Sequence, residues 1–93
     1  MGQKLFPLGA VYPTRKVLEA LAKTKMHQHE LLRRHMAGDW GDLPEADKQA
    51  NLCALQQGKP VYSRYTLATG EVLWVFTEGD RSSTTLLLDQ ELE

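Results

Sequence analysis

Cysteine is all but missing from this chain: Cys53 is alone among 93 residues, so no disulfide can close within one subunit and no cysteine-based zinc cluster can form. Long apolar runs are missing too. The longest, Val72 to Phe76, falls far short of the roughly 20 residues a membrane-spanning helix needs. Met1 to Pro7 lacks the apolar stretch and small-residue cleavage site of a secretory signal, which sets the cytoplasm as the expected location. No glycine-rich loop is built to cradle phosphate, because Gly38 and Gly41 each precede an acid that would repel an anion. Aromatic residues are only 8% of the chain, yet one of them, Trp40, sits between two glycines and two aspartates in Gly38-Asp39-Trp40-Gly41-Asp42. That is loop chemistry: glycine supplies positive φ, aspartate folds back on nearby amides, and the indole either anchors the turn or offers a flat contact face.

Net charge is also small, at −1, but its distribution is uneven. Residues 1–36 hold seven Lys or Arg against two acids, a net of +5, while residues 37–93 hold four against ten, a net of −6. Such a split either draws the two halves together or presents a basic and an acidic face to different partners. The length suits one domain with a single two-layer core, spanning 1–93.

The chain divides into a helical part, about 13–58, and a β meander, about 60–88. Leu5 to Tyr12, broken by Pro7 and Gly9, suits an extended segment and an edge strand. Thr14 caps a first helix whose apolar positions are Val17, Leu18 and Leu21, with Ala20 and Ala22 beside them. A second helix, roughly His27 to Ala37, carries Leu31, Leu32, His35 and Met36 on one stripe and stops at Gly38. Asp42 is placed to cap a third, from about Pro44 to Gln57, with Glu45 completing a capping box. Its expected apolar side is Ala46, Ala50, Cys53, Ala54 and Leu55. From Val61 the period becomes two, and strands are expected at Val61 to Leu67, Val72 to Thr77 and Ser83 to Leu88, with a frayed acidic tail from Asp89. The expected class is α+β: about three helices on one face of a small, three- to four-stranded antiparallel sheet.

Three constellations could carry chemistry. His27, His29 and His35 make poor metal ligands: the first two point about 200° apart on a helix, and His27 and His35 are separated by roughly 12 Å of rise. No metal site and no cofactor are expected. His35 with Asp39 or Asp42 could form an acid-base pair, using Ser82, Ser83, Thr84 or Thr85 if the Glu78 to Ser82 turn folds over the Gly38 to Asp42 loop. The structural alternative is that both aspartates close turns, His35 bonds locally, and Glu78, Asp80 and Arg81 form a salt-bridged hairpin end. Finally, two short basic helices could meet phosphates through Lys25, Arg33 and Arg34, although the sequence pI near 6.3 and the lack of aromatic-basic interleaving count against nucleic acid.

The segment His35-Met36-Ala37-Gly38-Asp39-Trp40-Gly41-Asp42-Leu43, followed by Asn51, Ala54-Leu55, Gly58, Tyr65, Trp74, Thr77-Glu78, Asp80-Arg81-Ser82 and Thr84 to Leu88, resembles one family signature. It is similar to short uncharacterised bacterial proteins, frequent on plasmids and other mobile elements, some bearing a restriction-subunit name that their size does not justify. The match covers residues 30–88. Gly79 replaces that family's usual alanine, Asp89 its proline, His27 a frequent helix-start serine, and the terminal tyrosine is lacking. The resemblance implies a shared fold and a site joining the two polar loops. It also implies a setting in which small proteins bind host or defence components.

The expected function is therefore binding of another protein, with Asp39, Trp40, Asp42, Glu78, Asp80 and Arg81 as the contact surface. The competing expectation is a small hydrolase or nucleic-acid-processing enzyme using His35, Asp39, Asp80 and Arg81. A deep cleft would favour the enzyme and a flat patch around Trp40 the binder.

Overall fold

The period-two segments build the sheet in the computed structural model, which describes residues 4–92. Met1 to Gln3, the start of the segment expected to lack a secretory signal, and Glu93, the end of the acidic tail, lie outside the described residues. Strands β2 (Val61–Thr66), β3 (Val72–Thr77) and β4 (Ser83–Leu88) form the expected antiparallel meander. Strand β1 is shorter than Leu5 to Tyr12, spanning Ala10–Pro13, and it pairs with β4 in parallel, with Tyr12 opposite Thr85. The sheet order is β1-β4-β3-β2, so it is mixed rather than wholly antiparallel. Everything between β1 and β4 is one long crossover, the connection a parallel pair requires.

Helices α1 (Arg15–Thr24), α2 (Gln28–Met36) and α3 (Glu45–Gln57) occupy the first and larger part of that crossover. The class is α+β, with helices packed against the sheet. Thr14 caps α1 as expected, its hydroxyl accepting from the Val17 amide. Helix α1 buries Val17, Ala20 and Leu21, but Leu18 and Ala22, expected on the apolar side, face water; the stripe is narrower than the sequence suggests because α1 meets the sheet on one line. In α2 the apolar stripe holds, with Leu31, Leu32 and His35 buried. These side chains meet Tyr65, Leu73, Val75, Leu86 and Leu88 from the inner face of the sheet. Burial of this set supplies the main hydrophobic driving force, at about 25 cal/mol per Å² of apolar surface.

Helix α3 departs most from expectation. Its cap is Pro44, which makes no side-chain hydrogen bond, because the Asp42 carboxylate is spent elsewhere and Glu45 instead accepts from Gln49. Only Asn51 and Ala54 are buried, and Cys53 is exposed rather than in the core. The helix meets the sheet chiefly along β2, and Ala46, Ala50 and Cys53 are left exposed. The tail is not frayed over the described residues: Asp89–Leu92 forms a 3-10 turn in which Glu91 accepts from the Leu88 amide and the Thr14 hydroxyl. Among the described residues no helix is long and apolar enough to cross a membrane.

Candidate functional site

The loop around Trp40 does its work along the free edge of β2. The Trp40 carbonyl accepts from the Arg64 amide, the Asp42 amide donates in return to the Arg64 carbonyl, and the Asp42 carboxylate accepts from both the Thr66 amide and its hydroxyl. One step along, the Asn51 side chain grips the Tyr62 main chain at both ends, donating to its carbonyl at 2.7 Å and accepting from its amide at 3.2 Å. Both outward main-chain groups of Tyr62 and Arg64 and the amide of Thr66 are thus satisfied in turn, which closes an edge that would otherwise pair with another chain. Gly41 is required for this approach, since a Cβ there would collide with the Arg64 carbonyl at a φ of +74°.

The indole that this loop carries is 4% exposed, so it is not the flat contact face expected of it. Trp40 stacks on Phe6, centroids 6.1 Å apart, and both rings approach His35 edge-on. His35 is fully buried. Its Nδ1 lies 2.6 Å from Ser63 Oγ and its Nε2 2.9 Å from Thr77 Oγ1; the chain of bonds continues to Thr84 Oγ1 and ends where Thr84 donates to the Leu8 carbonyl. His35 therefore bonds across the sheet rather than locally, and neither Asp39 nor Asp42 orients it. Burial, and secondarily the Arg81 charge, push its pKa from 6.5 to about 3, so the ring is neutral at ordinary pH. A neutral imidazole carries one donor and one acceptor, which this hydroxyl pair can match.

Asp39 points away from His35 to the surface, where its carboxylate accepts from Arg34 at 2.7 Å, the one ion pair among the described residues. That guanidinium holds the carboxyl below its ordinary range, and it also covers the Tyr65 ring at 4.5 Å. The Tyr65 hydroxyl donates to the Asp39 carbonyl, and burial raises its pKa to about 12.

The second polar loop is likewise structural in its contacts. Arg81, at a φ of +61°, donates to the Lys59 and Glu78 carbonyls rather than to a carboxylate, and its guanidinium lies 5.4 Å from the Phe6 ring centre. Asp80 accepts from the Ser82 amide at the surface. The expected salt-bridged hairpin end is therefore a set of charge-to-carbonyl bonds. At Gly79 a Cβ would stand 2.6 Å from the Gly58 carbonyl, so this chain has no room for an alanine there. The two loops do converge, but across the Phe6 ring rather than around a cavity. Phe6 was not a candidate, and its only sequence signal is an isolated aromatic before Pro7.

Of the basic residues, Arg33 and Arg34 line a surface hollow of about 420 Å³ with Lys4, but Glu30 and Asp39 line it too and Lys25 does not. Among the described residues no group of three or more His, Cys, Asp or Glu could hold a metal.

The outer face of the sheet is a different surface. Tyr62, Trp74, Phe76, Thr85 and Leu87 alternate out of β2, β3 and β4 on the face opposite the main core and, with Leu92, line an open hollow of about 370 Å³; Tyr62 and Trp74 also pack against the smaller cluster of Phe6, Trp40, Leu43, Ala54 and Val61. Tyr12, 59% exposed, extends it on β1. The signal was present in the sequence as the second period-two set of each strand, where alternation in an antiparallel sheet ordinarily places polar residues. No protein-family model, curated protein or solved structure matches this chain, and the resemblance drawn from its motifs stands on those residues alone.

Proposed function

We propose that the protein acts by binding another protein through the outer face of its sheet, as a small interaction module and not as an enzyme. The observation that carries this reading is the contrast between sealed polar groups and an uncovered apolar face. His35 is enclosed and held neutral, with no route for a substrate to its nitrogens, and Asp39 is committed to Arg34. Trp74, Phe76 and Leu87, by contrast, are large side chains left half-buried around an open hollow, with only the short Asp89–Leu92 turn at its margin. Contiguous apolar surface rimmed by polar residues is the usual mark of a protein contact. The polar loops that were expected as the contact surface, with Asp39, Trp40, Asp42, Glu78, Asp80 and Arg81, then serve by holding the sheet in shape. The setting we attach is the one the resemblance implies, a cytoplasmic protein of a mobile element acting on host or defence components.

The test is affinity capture from the native host with three folded forms: the intact chain, a Phe76→Ser, Leu87→Ser variant, and an Asp39→Ala, Arg81→Ala variant. One identified protein retained by the first and third but lost by the second is the expected result. Loss in the Asp39→Ala, Arg81→Ala form alone would return the site to the polar loops and overturn the reading.

A further inference from the structure

The face has a charge pattern as well as an apolar floor. Next to the main hollow, a second of about 230 Å³ is lined by Glu71, Val72 and Asp89 among others, and Trp74 joins the two by donating its indole N–H to the Asp89 carboxylate at 2.9 Å. On the opposite side Asp47 stands one turn before Asn51 in α3, and Asn51 holds the Tyr62 main chain, which sets the Asp47 carboxylate at the Tyr62 end of the floor. Acids therefore flank the apolar floor at both ends. The base that rises from it, Arg64, is set over the Trp74 ring at 5.9 Å. The pattern agrees with the net charge of −6 carried by residues 37–93.

The way a partner can attach is also restricted. A strand cannot add to β2, whose outward groups are taken by Asn51, Trp40 and Asp42, and on the far edge Pro13 offers no amide to a neighbouring strand. The face is the broader surface left to a partner, since the β1 edge is only four residues long and ends in proline. An antiparallel sheet covered on one side ordinarily turns a polar face to water; where that face is apolar, as here, a helix laid across the strands is one of the layers that can cover it. Strand β3 has six residues, about 20 Å of floor, which matches a helix of about 14 residues.

Resting on the binding reading above, we infer that the outer face of the sheet takes a basic amphipathic helix of about four turns from another protein, its apolar stripe on Trp74, Phe76 and Leu87 and its Lys or Arg residues against Asp47, Glu71 and Asp89. A second copy of the chain is the poorer occupant. Face-to-face pairing would set two acidic rims against each other, and docking of the basic helical half on this face would be head-to-tail, a contact that builds rings or filaments rather than a symmetric pair.

The experiment is a titration of the isotope-labelled full chain, followed by amide NMR, with two designed helices of about 14 residues that share one Leu stripe and carry either Lys or Glu on the polar side. Vesicles of phosphatidylcholine with phosphatidylserine are a third probe, and sedimentation of the chain alone a fourth measurement. The Lys helix is expected to shift the signals of β3 and β4 and to bind at least about tenfold more tightly than the Glu helix at low salt, the gap closing at high salt. An Asp47→Lys, Glu71→Lys variant is expected to reverse the order. Equal binding of both helices by the intact chain would overturn the charge assignment while leaving the docking face standing. Shifts of the same signals by vesicles alone, or self-association abolished by Leu87→Lys, would replace the helix with a membrane or a second copy. If no probe shifts these signals, the helix proposal fails; if capture from the host is also unaffected by Phe76→Ser, Leu87→Ser, the binding reading fails with it.

Discussion

The two faces of this sheet are built from the same strands and oppose each other in nearly every respect. The inner face buries hydroxyls and an imidazole, Ser63, Thr77, Thr84 and His35, and satisfies each; the outer face leaves Trp74, Phe76 and Leu87 half-buried with no helix over them. Ordinary economy would reverse that, because an unpaired buried hydroxyl costs about 1–3 kcal/mol and an apolar ring in water gains nothing. The difference teaches where constraint lies. A polar chain running from Ser63 on β2 through His35 to the Leu8 carbonyl ties the amino-terminal arm, α2 and three strands into one register, since a one-residue slip of any strand would unpair it. The outer face has side-chain bonds only at its margins, Trp74 to Asp89 and Thr66 to Asp42, and none that runs from strand to strand in this way.

The comparison breaks first at Trp40. If the indole is a core anchor, Trp40→Ala should cost about 4 kcal/mol in urea unfolding, whereas a contact residue at the surface would cost well under about 1 kcal/mol. Acid probes the inner face next. His35 titrates at about 3 when folded and at 6.5 when not, so between those values the unfolded chain binds the additional proton. Stability is then complete above pH 6.5 and falls with decreasing pH, by about 2.5 kcal/mol at about pH 4.5, before most carboxylates titrate. Denaturation curves across this range for the intact chain and for His35→Gln should converge as pH falls. Parallel curves would mean that the ring is reached by water and that the inner face is not sealed. A smaller effect is expected at Asn51: Asn51→Ala frees both main-chain groups of Tyr62, costs about 2 kcal/mol and reopens the β2 edge, so light scattering should show aggregation that the intact chain does not.

Much of this was legible in the sequence and some was not, for separable reasons. Helix α2, the three meander strands and the Thr14 cap follow from periodicity and capping chemistry, which are local. What failed was long-range competition for a shared group. Asp42 and Glu45 read as a capping box, but the strand edge offered Asp42 two donors at Thr66, and an amide and a hydroxyl together outbid the helix end. His35 beside Asp39 and Asp42 reads as an acid-base pair, yet its partners are 28 and 42 residues away, where no spacing rule reaches. Strand β1 was expected, but not its parallel direction, which depends on which edge the arm returns to after the sheet has formed. The polar loops were rightly singled out as built; being built does not distinguish a site from a lock.

The smallest expected effect is the one that most sharpens the contrast. Leu87 lies opposite Trp74 on the outer face, with its side chain in the open hollow, and threonine suits a strand as well as leucine does. Leu87→Thr should therefore change unfolding free energy by no more than about 0.5 kcal/mol, the range of ordinary surface substitutions. The same substitution one residue earlier, at fully buried Leu86, removes packing from the core and puts a hydroxyl among Val17, Leu31 and Leu73, at a cost of about 3 kcal/mol. Two neighbouring leucines of one strand, given the same new side chain, thus separate the faces without reference to any partner. A Leu87→Thr loss comparable to that at Leu86 would mean that the outer face is part of what holds the fold together, and the reason for regarding it as surface kept for another protein would be gone.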